Sequence, residues 1–125
     1  MKQRFLRIGD ELSDDVTVVV RGGLLVAEVL ERDASRNHEI YGVFGISVFA
    51  ARDLSVDELA QVTPLVRFAY LTLMRVGWLR AAGLTLEPTG RNVRHYDVTF
   101  ADLKSGVAAL LACEREVVEN LYHEK

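Results

Sequence analysis

Apolar and polar positions alternate with two different periods along the chain, and these periods predict its elements. The β-branched run Val16-Thr17-Val18-Val19-Val20 lies between Asp14-Asp15 and Gly22-Gly23. Its near-continuous apolar character predicts an interior strand covered on both faces. From Leu24 to about Arg36, Leu25, Val29 and Leu30 recur at helical spacing with Glu28, Glu31 and Arg32 on the wet side. That pattern predicts a helix fading at Ser35-Arg36-Asn37, with His38 and Tyr41 on the connection after it. Val43 to Ala50 is a second strong strand, its Gly42 and Gly45 permitting a bulge or a close backbone approach.

Ser55-Val56-Asp57-Glu58 has the form of a capping box opening a short helix, which Pro64 must end near Thr63. Arg67–Met74 predicts a third strand, and Arg75–Ala82 a short helix stopped by Gly83. Leu84–Glu87 and His95–Phe100 alternate cleanly around the Pro88-Thr89-Gly90 turn, predicting a hairpin. Leu103, Val107, Leu110, Leu111, Val117, Val118 and Leu121 then recur at three- and four-residue steps. They predict one long C-terminal helix over about 101–122, in which Gly106 is a weak point. The expected fold is α+β: a mixed sheet of about five strands, helices packed on it, and a single domain over 1–125.

Composition agrees with this picture. The chain has 125 residues, 50% hydrophobic and 26% charged, and a chain of this length buries roughly two-thirds of its unfolded surface. No linker, repeat or low-complexity tract divides it. The net charge of -3 argues against a globally basic nucleic-acid binder. The single cysteine, Cys113, has no partner for an internal bridge, and no Cys/His cluster has metal-ligand spacing. The longest uncharged stretches are about twelve residues, short of the roughly twenty a membrane helix needs. A cytoplasmic, reducing location with no membrane contact is expected, with Cys113 a small buried hydrophobe.

Charge distribution supplies the candidate chemistry. Between Arg67 and His95 there are five arginines (Arg67, Arg75, Arg80, Arg91, Arg94) and one acid, Glu87. Within it, Arg91, Arg94, His95 and Tyr96 crowd the predicted hairpin loop. Two guanidinium groups can hold a phosphate, His95 can serve as general acid or base, and Tyr96 can stack or donate a proton. Metal-independent RNA cleavage needs little more, so these four are the candidate catalytic residues. The structural alternative is an ordinary loop in which they pack or bond locally.

Arg21, leaving a buried strand just before Gly22-Gly23, and Ser47, mid-strand on the next, form a second candidate as ligand-binding residues. An Arg and a Ser on neighbouring strands resemble the nicotinamide-dinucleotide clefts of ADP-ribosyltransferase folds. That resemblance covers two short pieces and implies a downstream glutamate, for which Glu87 is the nearest option. A ligand contact at Arg21 predicts a side chain free of acidic partners; a structural arginine would be paired, for instance with Asp14.

Taken together, Val20-Arg21-Gly22-Gly23, Tyr41-Gly42, Gly45–Phe49, Val76–Gly83, Pro88–Arg91 and His95-Tyr96 resemble a group of small uncharacterised bacterial proteins. Small size and a lone domain are similar to toxin–antitoxin components. The expectations are therefore a toxin-like protein acting on RNA, an ADP-ribosyltransferase-like enzyme, or a non-catalytic interaction module. No cofactor is required by the first. Partners would be RNA, an antitoxin-like protein, or a second copy bound through the C-terminal apolar stripe.

Overall fold

A computed structural model describes residues 2–62 and 64–124. Among them the order is β1 (Thr17–Gly22), α1 (Ala27–Tyr41), β2 (Phe44–Ala50), α2 (Val56–Ala60), a 3₁₀ turn (Leu65–Arg67) and β3 (Tyr70–Arg75). There follow α3 (Val76–Ala81), β4 (Thr85–Pro88), β5 (His95–Phe100), α4 (Leu103–Ala112) and β6 (Glu116–Glu119). The fold is α+β. The strands form one sheet in the order β4-β5-β2-β1-β3-β6.

Every pairing in that sheet is antiparallel, where a mixed sheet was expected. Between α1 and β2, Gly42 takes a left-handed conformation (φ 79°) and donates its N–H to the His38 carbonyl. Only glycine adopts that conformation freely. After this stop β2 starts at the sheet end where β1 finished, as the antiparallel register Val18↔Ala50 and Val19↔Phe49 shows. Gly42 gives α1 a firm stop after Tyr41, five residues beyond the expected end at Arg36.

The larger difference is at the C-terminus. The expected long helix ends at Ala112, and Glu116–Glu119 forms a sixth, edge strand on β3, with Thr72 opposite Val117 and Leu71 opposite Val118. The apolar stripe is thus two structures. Leu103, Val107, Leu110 and Leu111 lie on the helix, Val117 and Val118 on the strand, and Leu121 beyond it is exposed. Two adjacent β-branched valines favour a pleated edge over a helix. The buried Asn120 amide fixes the strand's end, donating to the Leu65 carbonyl at 3.0 Å.

Two cores follow from strand alternation. On one face Val18, Val20, Ile46, Val48, Met74, Tyr96 and Val98 pack with Leu30 and Ala34 of α1, Leu79 of α3, and Val107 and Leu110 of α4. On the other, Val19, Leu71 and Leu73 pack beneath Leu59, Ala60 and Leu65. The capping box of α2 is formed, Ser55 and Glu58 bonding reciprocally at 3.1 Å. Where α2 was expected to reach Thr63, it ends at Ala60, and Thr63 lies outside the described residues. Asp102 caps α4 by accepting the Ser105 N–H at 2.9 Å.

Gly106 is no weak point. A Cβ there would overlap the Phe100 ring, so the glycine lets α4 sit directly on β5. Gly106→Ala is expected to destabilise the fold by about 1–3 kcal/mol through overpacking, although alanine is the better helix former by about 1 kcal/mol. Chemical denaturation of the two proteins reads the sign, and a stabilised variant would refute this packing.

Candidate functional site

The cleft exists because β1 and β2 part. They pair at Val18↔Ala50 and Val19↔Phe49, and the Ala51 N–H continues that contact to the Thr17 carbonyl at 2.9 Å. Extending the register by two residues would bring Arg21 opposite Ser47, but there the strands have separated. On its other side β1 is irregular between Val19 and Arg21 where it pairs with β3, which increases local twist and bends the strand away. The gap is floored by α1, whose Asp33, Asn37 and Tyr41 recur every four residues along one flank.

Two adjacent cavities result, sharing Arg21, Asp33 and Ser47 in their walls. One, of about 280 Å³, is polar and cationic, with Arg4, Arg36, Asn37 and Tyr41 in its wall. The other, of about 420 Å³, is apolar, with Val29, Phe49, Leu65 and Phe68. Phe68 lies against Gly22 so closely that a Cβ at Gly22 would overlap its ring, so the second glycine-bearing element of this region also serves a close approach.

Arg21 is not free of acid, contrary to the expectation for a ligand contact. Its Nη2 is tightly paired with Asp33 Oδ2, while Asp14, the suggested structural partner, instead pairs with Arg80 at 2.7 Å. The Arg21 Nε is buried and has no acceptor among the described residues. Across β2, Ser47 Oγ donates to Asp97 Oδ1 at 3.4 Å, and Asp97 is buried. Arg4 Nε stands 3.3 Å from Asp97 Oδ2 as an ion pair without hydrogen-bond alignment, and Arg4 Nη1 donates to the Tyr41 hydroxyl at 2.9 Å. Glu87 faces Asp97 in register on β4, so Glu87, Asp97 and Ser47 form one row leading to the cleft.

The residues of the 89–96 loop have other positions. Alternation sends neighbouring His95 and Tyr96 to opposite faces of β5. Tyr96 is buried in the larger core, its hydroxyl donating to the Asp10 carbonyl. His95 sits edge-on to Phe49, and its Nδ1 lies 3.0 Å from Thr89 Oγ1 and 3.1 Å from the Thr89 carbonyl. Arg91 is exposed, its guanidinium over the Phe5 ring, and Arg94 is half-buried. The four therefore do not share one face.

The loop is shaped from below by Arg7, which sequence reading missed. Arg7 donates to the carbonyls of Thr89, Gly90, Val93 and His95 at 2.8 to 3.3 Å and lies over the Tyr96 ring. Its Nε donates to Asp10 Oδ2 at 2.6 Å, while Arg52 Nη1 reaches Asp10 Oδ1 at 2.8 Å. Hydrogen bonds from Arg52 and then Arg7 hold the Asp10 carboxyl below its ordinary value of 3.8. Burial pushes the Cys113 thiol up, which keeps it protonated and a poor nucleophile. No group of three or more His, Cys, Asp or Glu among the described residues is placed to hold a metal, and no described helix is long and apolar enough to cross a membrane.

Arg4, Asp33, Arg36, Asn37 and Tyr41 were not singled out as a group by the sequence. The one signal for them is the four-residue recurrence of Asp33, Asn37 and Tyr41, visible once α1 is known to extend to Tyr41. Compared with protein-family models, curated proteins and solved structures, the chain gives no match.

The Asp10 clamp makes a pH prediction. A carboxyl lowered in the folded state stabilises above its unfolded value and loses that contribution as pH falls through the folded one. Asp10→Asn is therefore expected to melt below the native chain at pH 7, with the gap closing as pH falls from about 4 downward. A gap that is constant with pH would show the clamp to be independent of the carboxylate charge.

Proposed function

We propose that the chain binds a phosphorylated nucleotide in the cleft between β1 and β2, in the manner of the ADP-ribosyltransferase-like reading of Arg21 and Ser47. One observation carries this: Arg21 and Ser47, from separate strands, line a cleft whose one lobe is cationic and whose other is apolar and aromatic. Phosphate oxygens suit the lobe of Arg4, Arg21 and Arg36, since guanidinium groups bind them by paired N–H donors. A base or nicotinamide ring suits the lobe of Phe49 and Phe68, where aromatic faces offer stacking. A cavity that joins a few convergent polar groups to an apolar wall is the usual form of a small-molecule site.

For transfer chemistry, the bond from ribose to nicotinamide must break as the ribose carbon bonds to water or an acceptor nucleophile, nicotinamide leaving, and a carboxylate near the ribose would stabilise the positive charge that develops there. Asp97 lies beside Ser47, with Glu87 opposite it, and these two are the candidates. In this reading Ser47 positions the ligand and Arg21 binds its phosphate.

The RNA-acting, toxin-like reading is the second proposal, supported by the solvent-facing position of Arg91 and the partial exposure of Arg94. It has less support at His95 and Tyr96, whose Nδ1 and hydroxyl respectively have partners within the fold. Association with a second copy or an antitoxin-like partner would engage the β6 edge and Leu121, in place of a helix stripe.

Isothermal titration tests the first reading. ADP and NAD are expected to bind saturably at one site, with Arg21→Ala weakening each about tenfold or more, equivalent to roughly 1.4 kcal/mol. Arg91→Ala with Arg94→Ala is expected to leave both affinities unchanged. Binding lost in the loop double variant and kept in Arg21→Ala would move the site to the loop; release of nicotinamide from NAD would establish turnover.

A further inference from the structure

We infer that Asp33 is a built-in competitor for the ligand's phosphate, so that the cleft accepts multiply charged phosphate groups and rejects weaker anions. This rests on the reading of the cleft as a nucleotide site. The Asp33 carboxylate is paired tightly with Arg21 Nη2 at the point where both lobes meet. A phosphate placed on Arg21 would stand within a few ångströms of that carboxylate, and like charges at such separation repel strongly in a partly buried site. Asp33 must therefore leave Arg21 before a phosphate can take both its terminal nitrogens.

The structure provides a second cation for it. Arg32 Nε is already 3.6 Å from the other carboxylate oxygen, Oδ1, and the Arg32 side chain is 66% exposed. Rotation of Asp33 toward Arg32 breaks one ion pair and strengthens another, so the carboxylate is never left unpaired. Arg21 would meanwhile keep its buried Nε, which has no acceptor among the described residues while Asp33 is in place, available to the incoming oxygen. The exchange has a direction of selection. A monoanion such as a carboxylate offers Arg21 no more than Asp33 already does, whereas a diphosphate offers more charge and a better-matched fork of oxygens.

The test is titration of the full chain with ADP, and with acetate as the monoanion. Asp33→Asn is expected to bind ADP about tenfold tighter and to admit acetate, which the native chain excludes. Arg32→Ala is expected to weaken ADP binding about threefold in the native background and to have no effect in Asp33→Asn. Asp33→Ser provides the same readouts should the asparagine variant fail to fold. Unchanged or weaker ADP binding in the Asp33 variants, with Arg21→Ala still weakening it about tenfold or more, would overturn the competitor role and leave the nucleotide site standing. Absence of ADP binding in the native chain and in the Asp33 variants alike would remove the nucleotide reading and this inference together.

Discussion

The parting of β1 from β2 is the constraint on which the candidate site depends. In an unbroken sheet Arg21 and Ser47 would be cross-strand neighbours, with their backbones bonded and no room between them. Because pairing stops after Val19 and Phe49, the two side chains instead line opposite walls of a gap. That gap exposes backbone edges of two central strands, which is costly unless something covers them. Here α1 lies beneath, with Leu30 and Ala34 in the core and Asp33, Asn37 and Tyr41 turned to the gap. One helix thus seals the sheet and furnishes the polar wall. Its amide at Asn37 reaches the Val43 carbonyl at 2.8 Å, and Gly45 leaves room for it.

The N-terminal segment closes the other side. It carries two arginines with different duties. Arg7 is almost wholly enclosed, and its donors meet the carbonyls of Thr89 and His95, tying the N-terminal segment to the hairpin loop. Arg4 stays partly open, neutralises the buried Asp97, and contributes charge to the polar lobe. Removing a cation from a buried carboxylate leaves a charge uncompensated, so the segment's placement is tied to the site's electrostatics as well as to the fold. A chain whose total charge is negative can in this way present a local cationic lobe: Arg4, Arg21 and Arg36 converge from an extended segment, a strand and a helix.

Much of the fold was legible in the sequence because its signals are local. Each of the first five strands has a β-branched or alternating run, and the capping box of α2 has its full spacing. What was misread depends on contacts between distant residues. The last valines repeat at helical steps by coincidence, and only pairing with Leu71 and Thr72 makes Glu116–Glu119 a strand. The polar run Ser35-Arg36-Asn37 reads as a helix end, whereas Arg36 and Asn37 lie on the part of α1 that lines the cleft. The arginine-rich stretch from Arg67 to His95 was read as one patch, and the fold disperses it, with Arg75 over Trp78, Arg80 on Asp14 and Arg91 over Phe5. Arg21 and Ser47 were identified from their strand positions, while Arg4 and Asp33 could be connected to them only by tertiary structure.

The central claim is that the ligand site lies where β1 and β2 part, and amide chemical-shift mapping during titration with ADP tests it most directly. The account predicts shifts concentrated at Arg21, Gly22, Asp33, Asn37, Gly45 and Ser47, saturating together. Shifts confined to Thr89–Tyr96, with the amides at Arg21 and Ser47 unmoved, would contradict it.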